Sequence, residues 1–176
     1  MANLDPTSWY QIYLGDDTAT TIVGTYLVFS DDESGAVFFQ GTKEPSPGPE
    51  QIWQVFPYNT TYYVLRTQAS GANGYLHASL SVNETTPGRT VPDMLRADQQ
   101  DDSMFWRIDP WGDGTFFLTN AANGSDWHLN IKDNALMTMD SNITKPQLGQ
   151  RFSFATVGQI DNANYSSVVV SDRWVS

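Results

Sequence analysis

"QIWQVFPYNTTYYVL" occupies residues 51–65, and "MFWRIDPWGDGTFFL" occupies residues 104–118, 53 positions later. Both stretches follow one plan: an apolar triplet around a tryptophan, a proline, a polar turn, then an aromatic run. Trp53 falls on Trp106, Pro57 on Pro110, Tyr58 on Trp111, and Tyr63-Val64-Leu65 on Phe116-Phe117-Leu118. The same offset carries Leu76 onto Leu129 and places Trp9-Tyr10-Gln11-Ile12 before Tyr62-Tyr63-Val64-Leu65. Near its end the third copy shortens, so that "QRFSF" at 150–154 stands where the two tryptophan segments stood. A period of this length, sustained along a chain of 176 residues, marks a repeat architecture.

Within each copy the apolar residues come in runs too short for helices, separated by Gly, Pro, Asn and Asp. The first run is "WYQIYL" (9–14), "YYVLRT" (62–67) or "TFFLTN" (115–120), and the second is "YLVFS" (26–30), "YLHAS" (75–79) or "HLNIK" (128–132). The third is "GAVFFQ" (35–40), "DMLRA" (93–97) or "ALMTM" (135–139), and the fourth is "QIWQVF" (51–56), "MFWRID" (104–109) or "QRFSFA" (150–155). No segment keeps helical spacing of apolar residues for three turns, so the chain reads as all-β. Three copies of four short strands escape exposed sheet edges by closing into a barrel. The expected architecture is a β-trefoil: a six-stranded barrel with a hairpin cap, in repeats of about 8–57, 58–110 and 111–158. A single domain over 1–160 and a C-terminal extension over 161–176 are expected. Trp53, Trp106 and Phe152 are the rings expected to fill the barrel around the pseudo-threefold axis.

Bulk composition narrows the function. Apolar residues make up 40% and aromatics 13%, which supports a packed globule. The net charge is −11 and the isoelectric point about 4.2, a surface that repels phosphate backbones and anionic headgroups. Nucleic acid and membrane surfaces are therefore not expected partners. The absence of cysteine removes disulfides and thiolate chemistry. No apolar run approaches the length of a membrane span, and "MANLDPTSWY" lacks a signal-peptide shape. Asn59, Asn83, Asn123, Asn142 and Asn164 each begin an N-x-S/T sequon. Eleven asparagines among 32 serines and threonines would produce about two such sequons at random. Either a polar surface generates them by composition, or the chain passes through the secretory pathway. The excess favours an extracellular or cell-surface location.

The repeat ends carry a further pattern: Gln51-Ile52-Trp53, Met104-Phe105-Trp106 and Gln150-Arg151-Phe152. This resembles the ricin B-like β-trefoils, which place Gln-x-Trp near the end of each repeat; the resemblance covers about residues 8–158. More narrowly, "LDPTSWYQIYL" with "WGDGTFFLTNAANG" looks like filamentous-fungal ectodomains in which a Ser/Thr-rich stalk and a membrane anchor follow the trefoil. The resemblance implies a carbohydrate-binding lectin or adhesion ectodomain without catalytic activity or cofactor, its partner a glycan or another protein. In that family an Asp follows the second-strand Leu, an aromatic comes from the third strand, and an Asn precedes Gln-x-Trp. This chain has Val28, His77 and Asn130 at the first position and Glu50, Ser103 and Gly149 at the last, and only Phe38 and Phe39 supply third-strand aromatics. No copy retains the full galactose set.

A looser constellation is "NGSDWHLNIKDN" in the third copy, where Asp126, Trp127, His128, Asn130 and Asp133 gather around one strand. An aromatic face stacks on the C–H face of a pyranose while carboxylates and amides hold hydroxyls. Trp127 aligns with Gly74, so the repeat does not demand a ring there; either it binds a ligand or it covers the barrel wall. Tyr58 and Trp111 form a weaker pair. His77 and His128 lack an H-E-x-x-H pattern, and the acidic loops lack calcium-loop spacing, so no metal is expected. A second reading is a trefoil protease inhibitor or other protein-binding module acting through "GTKEPSPGPEQ" (41–51) and "NETTPGRTVPD" (83–93), whose prolines reduce the entropy lost on docking.

Overall fold

The computed structural model describes residues 2–15, 22–25, 35–40, 46–78, 92–96, 102–131, 137–141 and 148–168. The first repeat contains β1 (Ser8–Leu14), β2 (Ile22–Thr25), β3 (Gly35–Gln40) and β4 (Trp53–Pro57). The second contains β5 (Tyr63–Thr67), β6 (Gly74–His77), β7 (Asp93–Arg96) and β8 (Trp106–Pro110). The third contains β9 (Phe116–Asn120), β10 (Gly124–Ile131), β11 (Met137–Asp140) and β12 (Phe152–Gln159). The described part of the first repeat's second strand is 22–25, and the expected segment 26–30 falls outside the described residues.

The strands close into a ring in which β1, β4, β5, β8, β9 and β12 each pair antiparallel with two neighbours. Within each repeat the first strand meets the last through one pair: Tyr10 with Trp53, Tyr63 with Trp106, and Phe116 with Phe152. Tyr10, Tyr63 and Phe116 follow the 53-residue period, as do Trp53 and Trp106, while the shortened third repeat brings Phe152 to the equivalent closure position. The hairpins β2–β3, β6–β7 and β10–β11 form the cap, where β3 also pairs with β7. The architecture is the expected all-β trefoil. The turns leading into β6 and β10 use Gly71 (φ 74°) and Gly124 (φ 79°), equivalent positions whose left-handed backbone favours glycine.

Trp53, Trp106 and Phe152 are 1%, 0% and 0% exposed and lie in one core with Ile12, Leu65, Leu118, Leu76, Leu129, Met94 and Met139. Burying each large ring contributes on the order of 3 kcal/mol. Trp106 also donates its Nε1–H to the Leu76 carbonyl at 2.8 Å, so its single polar atom is satisfied. Gln51, Met104 and Gln150, which open the Gln-x-Trp motif and its variants, are buried just before their strands.

Threefold symmetry breaks where the chain ends meet. β12 runs eight residues and pairs along β1, with a register shift between Trp9 and Tyr10. The Ile160 N–H then donates to Thr7 O at 2.8 Å, and residues 161–168 fold back as a strap across the outer side of β4 and β5. A single 3-10 turn at Ala163–Tyr165 is capped by Asn162, whose Oδ1 accepts from Asn164 N at 3.0 Å. Tyr165 is buried edge-on to Trp9, with ring centroids 4.9 Å apart.

Candidate functional site

Alternation along β5 sends Tyr63 and Leu65 into the barrel core and Val64 and Arg66 outward. In the second repeat, the positions corresponding to the family's sugar-binding Asp and Asn are closed. His77 Nδ1 lies 2.7 Å from Ser103 Oγ, and both side chains are buried. Across the hairpin from His77 sits Asp93, whose carboxyl is raised by burial. In the third repeat a side chain at Gly149 would collide with the Ile131 carbonyl and come within 2.8 Å of Asn130 Oδ1. Neither repeat can present the paired side chains of the family's site. Val28 lies outside the described residues.

The third-repeat constellation on β10 is divided between two sides of the strand. Gly124 pairs with Asn120 and His128 with Thr119, so Ser125, Asp126 and Trp127 bulge out of that ladder. Asp126 is exposed, while Trp127 is half-buried and packs against the barrel core. His128 turns to the outer side and stacks on Phe117 at 4.4 Å with 10° between the planes. Trp111 completes that group 5.4 Å from His128 and donates its Nε1–H to Gln150 O at 2.9 Å. Burial holds the His128 pKa below 6.5, against the opposing pull of its hydrogen bond with Gln150 and the charge of Asp109. Asn130 is half-buried, and Asp133 lies outside the described residues. Tyr58, the counterpart of Trp111, stacks on Phe105 at 4.6 Å.

Of the sequons, Asn59 and Asn164 are exposed, and Asn59 Oδ1 accepts from the backbone of Thr61 and Tyr62 at 2.8 Å each. Both polar atoms of the Asn123 carboxamide are buried without a partner. Asn83 and Asn142 fall outside the described residues.

A cavity of about 450 Å³ opens where the chain ends meet, lined by Pro6 and Thr7 before β1, Gln54 and Phe56 on β4, and residues 160–163 and 165–166 of the strap. Its floor is locked. Gln54 Nε2 donates to Pro6 O at 2.6 Å and to Tyr165 O at 2.9 Å, while its Oε1 accepts from Arg66 Nε at 2.7 Å. Arg66 is 1% exposed beneath this floor, and its remaining N–H groups meet Ala72 O, Tyr75 Oη, Tyr165 O and Ser167 O. Its guanidinium lies 4.9 Å from the Tyr165 ring centroid and 5.7 Å from that of Phe56. Burial lowers the Arg66 pKa, opposed by Tyr75 and Tyr165. No local motif announces this cavity, because its walls come from both ends of the chain. Among the described residues no three His, Asp or Glu side chains gather as a metal site.

No family model and no curated protein matches the chain. Solved structures do. A designed threefold-symmetric protein, ThreeFoil, superposes with a TM-score of 0.66 at 18% identity, over 85% of this chain and 99% of its own. The fold is a β-trefoil. The Polyporus squamosus lectin, solved bound to the epitope Neu5Acα2-6Galβ1-4GlcNAc, superposes at 0.62 with 14% identity, over 88% of this chain and 50% of the lectin. The BEL β-trefoil superposes at 0.60 with 12% identity, over 88% of this chain and 96% of its own.

Proposed function

We propose that this trefoil is a ricin B-like carbohydrate-recognition or adhesion module, extracellular or displayed at a cell surface, which acts by binding rather than catalysis. One observation carries the reading: the closed three-repeat barrel superposes over most of its length on trefoils that include a lectin solved with a glycan. The closed His77–Ser103 and Asn130–Gly149 positions mean that sugar enters elsewhere than at the family's paired residues. Asp126 and the exposed part of Trp127 remain one candidate entry, on the β10 bulge.

The deciding experiment sets a glycan array beside a panel of cysteine and serine proteases. Saturable binding to glycans without protease inhibition is the expected result. Nanomolar inhibition with no glycan bound would replace this reading by a protein-binding trefoil.

A further inference from the structure

The cavity between the chain ends has the size of a small-ligand site, which spans roughly 300–1,000 Å³. Three features of its walls define what fits. Phe56, Ile160, Pro6 and Ala163 give it an apolar side, with the half-buried Phe56 ring fixed from behind by the Arg66 guanidinium. The polar groups of Gln54 are already committed to Pro6, Tyr165 and Arg66, so the floor is rigid. At the rim, the exposed Asp161 carboxylate bonds no described residue. Beside it, Asn162 has spent its Oδ1 on the strap and keeps its amide N–H groups. Thr7 donates its hydroxyl proton to Asp5 and keeps acceptor capacity.

An apolar ring wall facing a carboxylate and an amide matches a hydroxylated ring with a C–H face. The charges then select among sugars. Among the described residues no cation lines the cavity, and Arg66 beneath its floor has its donors all turned to Gln54, Ala72, Tyr75, Tyr165 and Ser167. It cannot pair with an incoming carboxylate, whereas Asp161 at the rim and the net charge of −11 repel one. An organic cation is disfavoured by the same residue, because Arg66 already lies against the Phe56 and Tyr165 rings.

We infer that this cavity is a subsite for a neutral pyranose, with Phe56 as the stacking wall and Asp161 and Asn162 holding hydroxyls, and that it excludes sialylated and other acidic sugars. The inference rests on the carbohydrate-binding reading above.

The test is a two-dimensional NMR titration with methyl β-galactoside, N-acetylglucosamine, lactose and 6′-sialyllactose, on the wild type and on Asp161→Ala and Phe56→Leu. Asp161 is exposed and bonds no described residue, so Asp161→Ala should melt like the wild type; Phe56→Leu keeps apolar volume and removes the ring. Neutral sugars should shift the amides of residues 160–166 and of Phe56, and each variant should weaken that binding by about tenfold. 6′-Sialyllactose should shift none of these amides. Sugar binding undiminished in Asp161→Ala, or shifts confined to other repeats, would overturn the subsite and leave the carbohydrate-binding reading standing. Preference for the sialylated ligand at these amides would overturn the selectivity. A protein that binds no glycan on the array would end both.

Discussion

Replacing Arg66 with methionine removes the one buried cation of β5 and keeps a side chain of similar length. In the native protein the guanidinium satisfies Gln54 Oε1 at 2.7 Å, Ala72 O at 2.5 Å, Tyr165 O at 2.9 Å and Ser167 O at 3.0 Å. Two of those acceptors belong to the strap, so Arg66 ties the C-terminal segment to the barrel. Leaving a buried acceptor unpaired costs about 1–3 kcal/mol. Removing the guanidinium also relieves the cost of burying a charge, and the freed strap carbonyls can regain water by peeling away. The balance is a net loss of about 3–4 kcal/mol, or roughly 6–15 °C in melting temperature for a chain of this size. Urea unfolding followed by tryptophan fluorescence measures the loss, and amide exchange at Tyr165 and Ser166 shows whether the strap opens first. Arg66→Lys keeps the charge, but its three donors cannot serve four acceptors in the same geometry, so about half the loss is expected. If Arg66→Met proves as stable as the wild type, with the strap amides still protected, desolvation cancels the hydrogen bonds and the strap is held by Tyr165 and apolar packing alone.

Trp106→Ala should cost about 3–5 kcal/mol in urea unfolding, and Trp106→Phe about 1–3 because the Leu76 carbonyl loses its donor; a Trp106→Phe variant as stable as the wild type would show that the hydrogen bond contributes nothing. The His128 imidazole should titrate with a midpoint below 6.5 by NMR. The unfolded histidine then takes a proton before the folded one, so stability is intact above about pH 6.5 and declines as pH falls through that value towards the folded pKa. His128→Phe should remove this part of the decline, and a native midpoint at or above 6.5 would refute the burial argument. In a eukaryotic secretory host, Asn59→Gln and Asn164→Gln should each remove one glycan's mass, while peptide mapping should find Asn123 unmodified. A glycan on Asn123 would require a different conformation for the turn before β10.

Most of the barrel was legible because its closure repeats. Tyr10, Tyr63 and Phe116 meet Trp53, Trp106 and Phe152 in equivalent pairs, and all but Phe152, which follows a shortened segment, fall on the period-53 alignment. Strand ends were less legible: the strand at 22–25 begins before the extended segment read at 26–30, which lies outside the described residues. The β10 constellation gathers sugar-binding residue types in sequence, but the bulge before His128 sends Trp127 to the core and His128 to Phe117. Bulges follow from packing between strands, which composition does not record.

The sequence by itself determined the closed threefold barrel and the rings that plug it, because hydrophobic burial recurs with the repeat and needs only residue type and spacing. Tertiary structure alone decided that Arg66 is buried without a carboxylate partner among the described residues, that His77 lies against Ser103, and that Pro6, Thr7, Gln54, Phe56 and residues 160–163 and 165–166 line a cavity. Each of these depends on hydrogen-bond partners or walls brought from distant parts of the chain, and a polar group's role is set by what surrounds it.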